Sequence, residues 1–184
     1  MEHDNIYRGL DTSTAWDAEV NRPAVGQVVK SYLCPSRHYA GLQGIPALAD
    51  YVGVAGIGAD AATLPGSDPR SGFFGYDRTI RLSDIKDGAS NTLMAIETAS
   101  VNGPWAAGGT ATVRAFDPET QPYVGNGRPF GLSHVEWTIL GRPSVGANAA
   151  FADGSVRYLR DSISPHTLEA LATIAGGDKI DDDL

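Results

Sequence analysis

The chain has 184 residues, long enough to bury roughly two thirds of the surface its unfolded form would expose, and it reads as one globular domain over 1–184. With 14 Lys+Arg against 22 Asp+Glu the formal charge is -8, and no basic stripe exists to displace counterions from a phosphate backbone, so nucleic acid and anionic membrane surfaces are poor partners. No run reaches the roughly eighteen apolar residues of a membrane span. The 22 Gly and 11 Pro are spread throughout and cut the chain into short segments, which favours β-rich or α+β architecture over a helical bundle.

In chain order, TAWDAEVNRPAVGQVVKSYL (14–33) opens with a short helix and continues after Pro23 as either helix or strand up to Cys34-Pro35. YVGVAGIG (51–58) is β-branched and glycine-interrupted, as in a strand approached closely by another backbone. A loop then runs to Gly75. Ser83-Asp84-Ile85 reads as a helical turn, Asp87-Gly88 as a tight turn and Thr92–Thr98 as a buried central strand. Residues 99–147 are loop-rich, anchored by Trp105, Tyr123 and Trp137.

The last quarter carries the strongest local signals. Asn148–Phe151 and Ser155–Leu159 flank Ala152-Asp153-Gly154, and a DG pair between β-forming runs marks a hairpin, because Asp and Gly tolerate the positive φ that hairpin turns demand. Ser164 is a natural N-cap, Pro165 suits the first helical position, and Leu168, Leu171, Ala172 and Ala175 line one apolar face before Gly176-Gly177. Residues 178–184 form a frayed acidic tail.

Patterns that carry chemistry elsewhere fail here on context. Gly56-Ile57-Gly58-Ala59-Asp60-Ala61 matches a dinucleotide fingerprint, but Pro65-Gly66 leaves no helix to hold a pyrophosphate. His134-Val135-Glu136 lacks the paired cysteines of a zinc deaminase. Ser133-His134 are adjacent residues and no Gly-x-Ser-x-Gly elbow exists. His166 and Glu169, one turn apart, have no second pair with which to build a metal site. Asp84, Asp87 and Asn91 could offer oxygens to calcium, the one cofactor considered, but lack the alternating spacing of a calcium loop. Cys34, the only cysteine, reads as a small buried apolar side chain, and Asp153 as a turn former.

Several stretches together resemble the DUF1559 family, planctomycete envelope proteins with a prepilin-type N-terminal methylation segment and an "H-x9-DG" signature. They are MEHDNIYRGLD (1–11), YLCPS (32–36), YVGVAGIGAD (51–60), DIKDGASNTLMAIET (84–98), GPWAAGG (103–109), GRPFG (127–131) and ANAAFADGSVRYLRDSISPHTLEALATIAGG (147–177). The motif residues so marked are Asp87, Gly88, Ser90, Asn91, Thr92, Glu97, Trp105, His134, Asn148, Asp153 and Gly154. Pro143 stands where the signature has its histidine; His134 is the nearest candidate and would require an insertion.

The resemblance implies a cell-envelope location and an α+β head, mainly antiparallel sheet with long loops, a DG hairpin and a short C-terminal helix, as in pilins or pseudopilins. It also implies other envelope or pilin-like proteins as partners, membrane attachment only through an N-terminal helix this chain lacks, and Cys34 as half of a disulfide whose partner is missing. The motifs consist of turn formers, caps and strand residues, so the expected role is non-enzymatic, with no catalytic or metal-ligating residue. Phe73, Phe74, Tyr76, Trp105 and Tyr123 are the expected contact aromatics, and an extracellular carbohydrate-binding module using them is the alternative.

Overall fold

The computed structural model describes residues 3–36, 47–98, 100, 102–131 and 145–178. It is an α+β fold around one five-stranded sheet. The strands are β1 (Tyr51–Ile57), β2 (Leu93–Glu97), β3 (Val113–Phe116), β4 (Gly146–Phe151) and β5 (Val156–Arg160), in the spatial order β3-β1-β2-β4-β5. The β1–β2, β2–β4 and β4–β5 pairs are antiparallel; β1–β3 is parallel. The helices are α1 (Asp4–Arg8), α2 (Arg22–Val25) and α3 (Pro165–Ala172).

Side chains alternate between the two faces of each strand, and that alternation places the core. Val52, Val54, Leu93, Ile96, Phe116, Ala147, Ala149, Phe151 and Leu159 line one face and meet Leu168, Leu171 and Ala172 of α3. Leu168 and Leu171 are fully buried, each contributing roughly 1.5–3 kcal/mol of apolar burial. Tyr123, Val124 and Phe130, from the loop after β3, complete this core, and the Phe116 and Tyr123 rings meet edge to face at 5.0 Å.

The opposite face carries a polar row across four strands. Tyr51 pairs with Glu97, Asn148 bonds Glu97 from β4, and Asn148 pairs with Tyr158.

The segment 14–33 resolves into 3-10 turns on either side of α2: Glu19–Asn21 before Arg22–Val25 and Lys30–Tyr32 after it, with no strand. Strand β3 lies inside the stretch read as loop. At Gly56 the carbonyl of Arg70 approaches so closely that a Cβ would overlap it, so the first glycine of the apparent fingerprint makes room for the returning loop. The turn that follows, Ala61–Thr63, is a single 3-10 turn.

α3 begins as its sequence predicts: the Ser164 hydroxyl accepts from Thr167 N at 3.0 Å, with Pro165 in the first turn. It ends at Ala172, three residues short of the expected apolar stripe, because Thr173 is already extended at φ -98, ψ 157. From there the chain is taken over by other partners. Ile174 N donates to Ser71 O at 3.0 Å, and Ile174 O accepts from Lys86 N at 2.6 Å and Asp87 N at 3.2 Å.

Candidate functional site

The polar motif residues gather in two places, and in each the geometry follows from the local sequence. The first is a clasp between the segment entering β2, the hairpin and the segment leaving α3. Gly88 turns the chain sharply, Ala89–Asn91 makes one 3-10 turn, and Asp87 is left pointing at the end of α3. Its Oδ2 accepts from Gly176 N at 2.8 Å and from the Thr173 hydroxyl at 3.2 Å, while Oδ1 accepts from Gly177 N at 3.0 Å. The two glycines read as a helix stop are thus ligands of a carboxylate four and five residues beyond the helix end. Thr92 Oγ1 reaches Gly88 O at 3.1 Å and Thr173 O at 3.4 Å. Asn91 Nδ2 donates to Asp87 O at 3.3 Å, and Arg157 donates to Ser90 O at 3.0 Å.

The hairpin joins the same clasp through its backbone. Asp153 N donates to Ala89 O at 3.1 Å and Ala152 N to Thr92 O at 2.9 Å. Phe151 N bonds Ser155 O and Gly154 N bonds Phe151 O, both at 2.9 Å, so the loop has three residues with Gly154 at φ 86. This is the three-residue connection, Ala152-Asp153-Gly154, that the flanking β-forming runs mark in the sequence, with the positive φ at Gly154. The Asp153 carboxylate accepts from Ser155 Oγ at 2.7 Å and Ser155 N at 2.9 Å, and these bonds hold its pKa below the usual carboxylate range.

The second gathering lies under the polar face of the sheet. Glu97 is fully buried; its Oε2 accepts from Asn148 N at 3.1 Å and Asn148 Nδ2 at 3.0 Å. Cys34, 1% exposed, packs beside it, and Asp50, also fully buried, accepts Cys34 N at 2.8 Å and Asn102 Nδ2 at 2.8 Å. Burial pushes the Cys34 thiol pKa up, reinforced by its hydrogen bond to Glu97 and the charges of Glu97 and Asp50. The Tyr51 phenol is likewise raised, by burial first, then by the Glu97 charge, then by Cys34. Both groups are held in their protonated, donor forms. A thiol so placed is a weak nucleophile, and its chemical capacity here is to donate to a buried carboxylate. Sequence reasoning treated Cys34 and Glu97 separately and missed Asp50, Tyr51 and Asn102, since no local signal announces a cluster assembled by strand pairing.

The remaining sequence-selected residues are scattered. Trp105 anchors the small N-terminal core of Ile6, Ala24 and Val29 and donates Nε1–H to Gln27 O at 3.0 Å. Tyr123 is in the main core at 1% exposure, so it is no contact aromatic; its hydroxyl donates to Glu169, and burial with that bond pushes its pKa up to about 12. Phe74 and Tyr76 do reach the surface, 39% and 45% exposed, with Phe73 edge-on to Phe74 at 5.2 Å. Their loop closes around Arg78, whose guanidinium donates to the carbonyls of Ala55, Ala61, Leu64, Gly72 and Phe74. Burial lowers the Arg78 pKa.

Asp84, another of the oxygens the sequence offers to calcium, accepts Arg81 N at 2.8 Å and shares none of the donors bonded to the Asp87 carboxylate. Among the described residues no group of three or more His, Cys, Asp or Glu is placed to hold a metal ion, and no helix is long and apolar enough to cross a membrane. His134 and Trp137 lie outside the described residues.

A five-stranded sheet with α3 on one face, and with motif acids turned onto backbone amides, defines a small α+β domain whose signature residues are bound into its own framework. Residues 1–139 match the family model SBP_bac_10, described as "Protein of unknown function (DUF1559)". The chain belongs to the DUF1559 family. The matched span takes in Cys34, the Asp87 turn, Glu97, Trp105 and His134, while Asn148 and the Asp153-Gly154 hairpin follow it. No curated protein and no solved structure matches the chain.

Proposed function

We propose that this chain is the non-enzymatic globular head of a pilin-like or pseudopilin-like cell-envelope protein, acting through surface contacts in assembly or secretion-related interactions with other envelope proteins. The observation that carries the reading is the use made of the motif polar groups: Asp87 on Gly176 and Gly177, Asp153 on Ser155, Glu97 on Asn148. Side chains engaged in this way specify a fold, and recognition is then left to exposed groups on loops held by a rigid scaffold. Phe74 and Tyr76, on the loop that Arg78 ties down, are the exposed aromatics best suited to contact.

The test uses the full-length gene product in its native cells. Phe74→Ala with Tyr76→Ala is expected to reduce cross-linked envelope complexes while the purified domain keeps its melting temperature. Unchanged cross-linking, or turnover of an ester or peptide substrate by the purified domain, would overturn the reading. The same exposed pair on a braced loop also favours a second reading, carbohydrate binding. Repeated hits on a glycan array that disappear in the double variant would select it.

A further inference from the structure

Four Asp-Gly or Asn-Gly pairs occur in the chain: Asp87-Gly88, Asn102-Gly103, Asn126-Gly127 and Asp153-Gly154. In such pairs the glycine nitrogen, unshielded by a Cβ, can close a ring on the preceding side-chain carbonyl carbon once that side chain is able to rotate onto it. Three of the four are held away from this reaction. Asp87 and Asp153 are bonded as described above, and Asn102 Nδ2 donates to Asp50 at 2.8 Å and to Thr98 O at 3.0 Å.

Asn126 differs on every count. It is exposed, its side chain forms no hydrogen bond among the described residues, and Gly127 N–H has no acceptor there. The amides on either side, Gly125 N and Arg128 N, are both bonded, to Phe130 O at 3.1 Å and Gly125 O at 3.2 Å. A Cβ at Gly127 would meet nothing within 4 Å, so water has open access to the pair.

We infer that Asn126 is a self-modification site, converting in the folded protein to aspartate and isoaspartate with water as the only co-reactant. The deprotonated Gly127 nitrogen attacks Cγ of Asn126, the Cγ–Nδ2 bond breaks, and ammonia leaves. Water then opens either carbonyl of the succinimide, giving the normal or the β-linked acid. Each product adds one negative charge to the formal -8. The β-linked product also adds a backbone atom to a loop that Phe130 N closes on Tyr123 O at 3.0 Å and that docks on β2 through Gly131 N to Glu97 O at 2.9 Å. The modification therefore acts on the join between this loop and the strand carrying Glu97.

Peptide mapping by mass spectrometry of the intact chain, held folded at mildly alkaline pH, tests this. Asn126 is expected to convert several-fold faster than Asn102, with isoaspartate detectable by isoaspartyl methyltransferase labelling, and the gap is expected to close in urea, where Asn102 loses its partners. Asn126→Ser is expected to remove the main acidic species that accumulates in isoelectric focusing. Equal conversion of the two asparagines in the folded protein, an intact Asn126 under conditions that convert it in urea, or an acidic species that persists in the variant would each overturn the assignment.

Discussion

Asn148 offers the sharpest perturbation of the buried cluster. It gives Glu97, fully buried, both its backbone N–H and its side-chain amide, at 3.1 and 3.0 Å. Asn148→Ala removes the second donor alone. A hydrogen bond to a charged group is worth about 1.5–3 kcal/mol, so a loss of about 2 kcal/mol is expected. For a domain of this size that lowers the melting temperature by about 4–8 °C. Asn148→Asp keeps the shape but sets a second carboxylate against Glu97, and two such groups in contact cannot both ionise. The cost should rise to about 3–5 kcal/mol at neutral pH. In that variant the raised carboxyl pKa makes the sign definite: the penalty is smallest in acid and grows as pH rises through the carboxylate range. Urea unfolding followed by circular dichroism at two pH values measures both. If Asn148→Asp matched the native chain at neutral pH, or Asn148→Ala cost less than about 0.5 kcal/mol, Glu97 would not depend on Asn148.

Cys34 should react with iodoacetamide only as fast as the protein opens, because the thiol is buried and its pKa raised; prompt labelling at neutral pH of the folded chain would contradict the geometry. The same burial makes slow alkylation a property of the cluster, so it is no evidence for a disulfide. At the hairpin, Ser155→Ala should return the Asp153 pKa toward the ordinary carboxylate range in an NMR titration. Since the folded value is lowered, Asp153 contributes stability above its unfolded pKa and loses it as pH falls through the folded one, and the variant should flatten that acid limb. An unchanged titration would mean that the Ser155 hydroxyl does not govern this carboxylate.

What was legible in the sequence was local. The Ser164-Pro165 start of α3 and the hairpin position follow from capping and turn chemistry within a few residues, and both are in the structure. The end of α3 was not legible, because Asp87, some ninety residues earlier in the chain, is the partner that holds Gly176 and Gly177. β3 escaped for a different reason: it is four residues long, only Phe116 is buried, and its parallel pairing with β1 leaves no hairpin signal. Cys34 meets Glu97 only because the register of β1 against β2 sets Tyr51 opposite Glu97. Tyr123 is the core anchor that its place under a long connection predicts and not the contact aromatic that the same loop also suggests, since loop membership says nothing of which way a ring turns.

The proposition that the motif acids act by holding backbone is tested most directly at Asp87, where one carboxylate takes two backbone amides and a hydroxyl. The measurement is the unfolding free energy of Asp87→Ala against the native chain, with amide exchange at Gly176 and Gly177 read alongside. A loss of about 2–4 kcal/mol with faster exchange at both glycines is predicted. A variant within about 0.5 kcal/mol of the native chain, with exchange at those glycines unaltered, would contradict it.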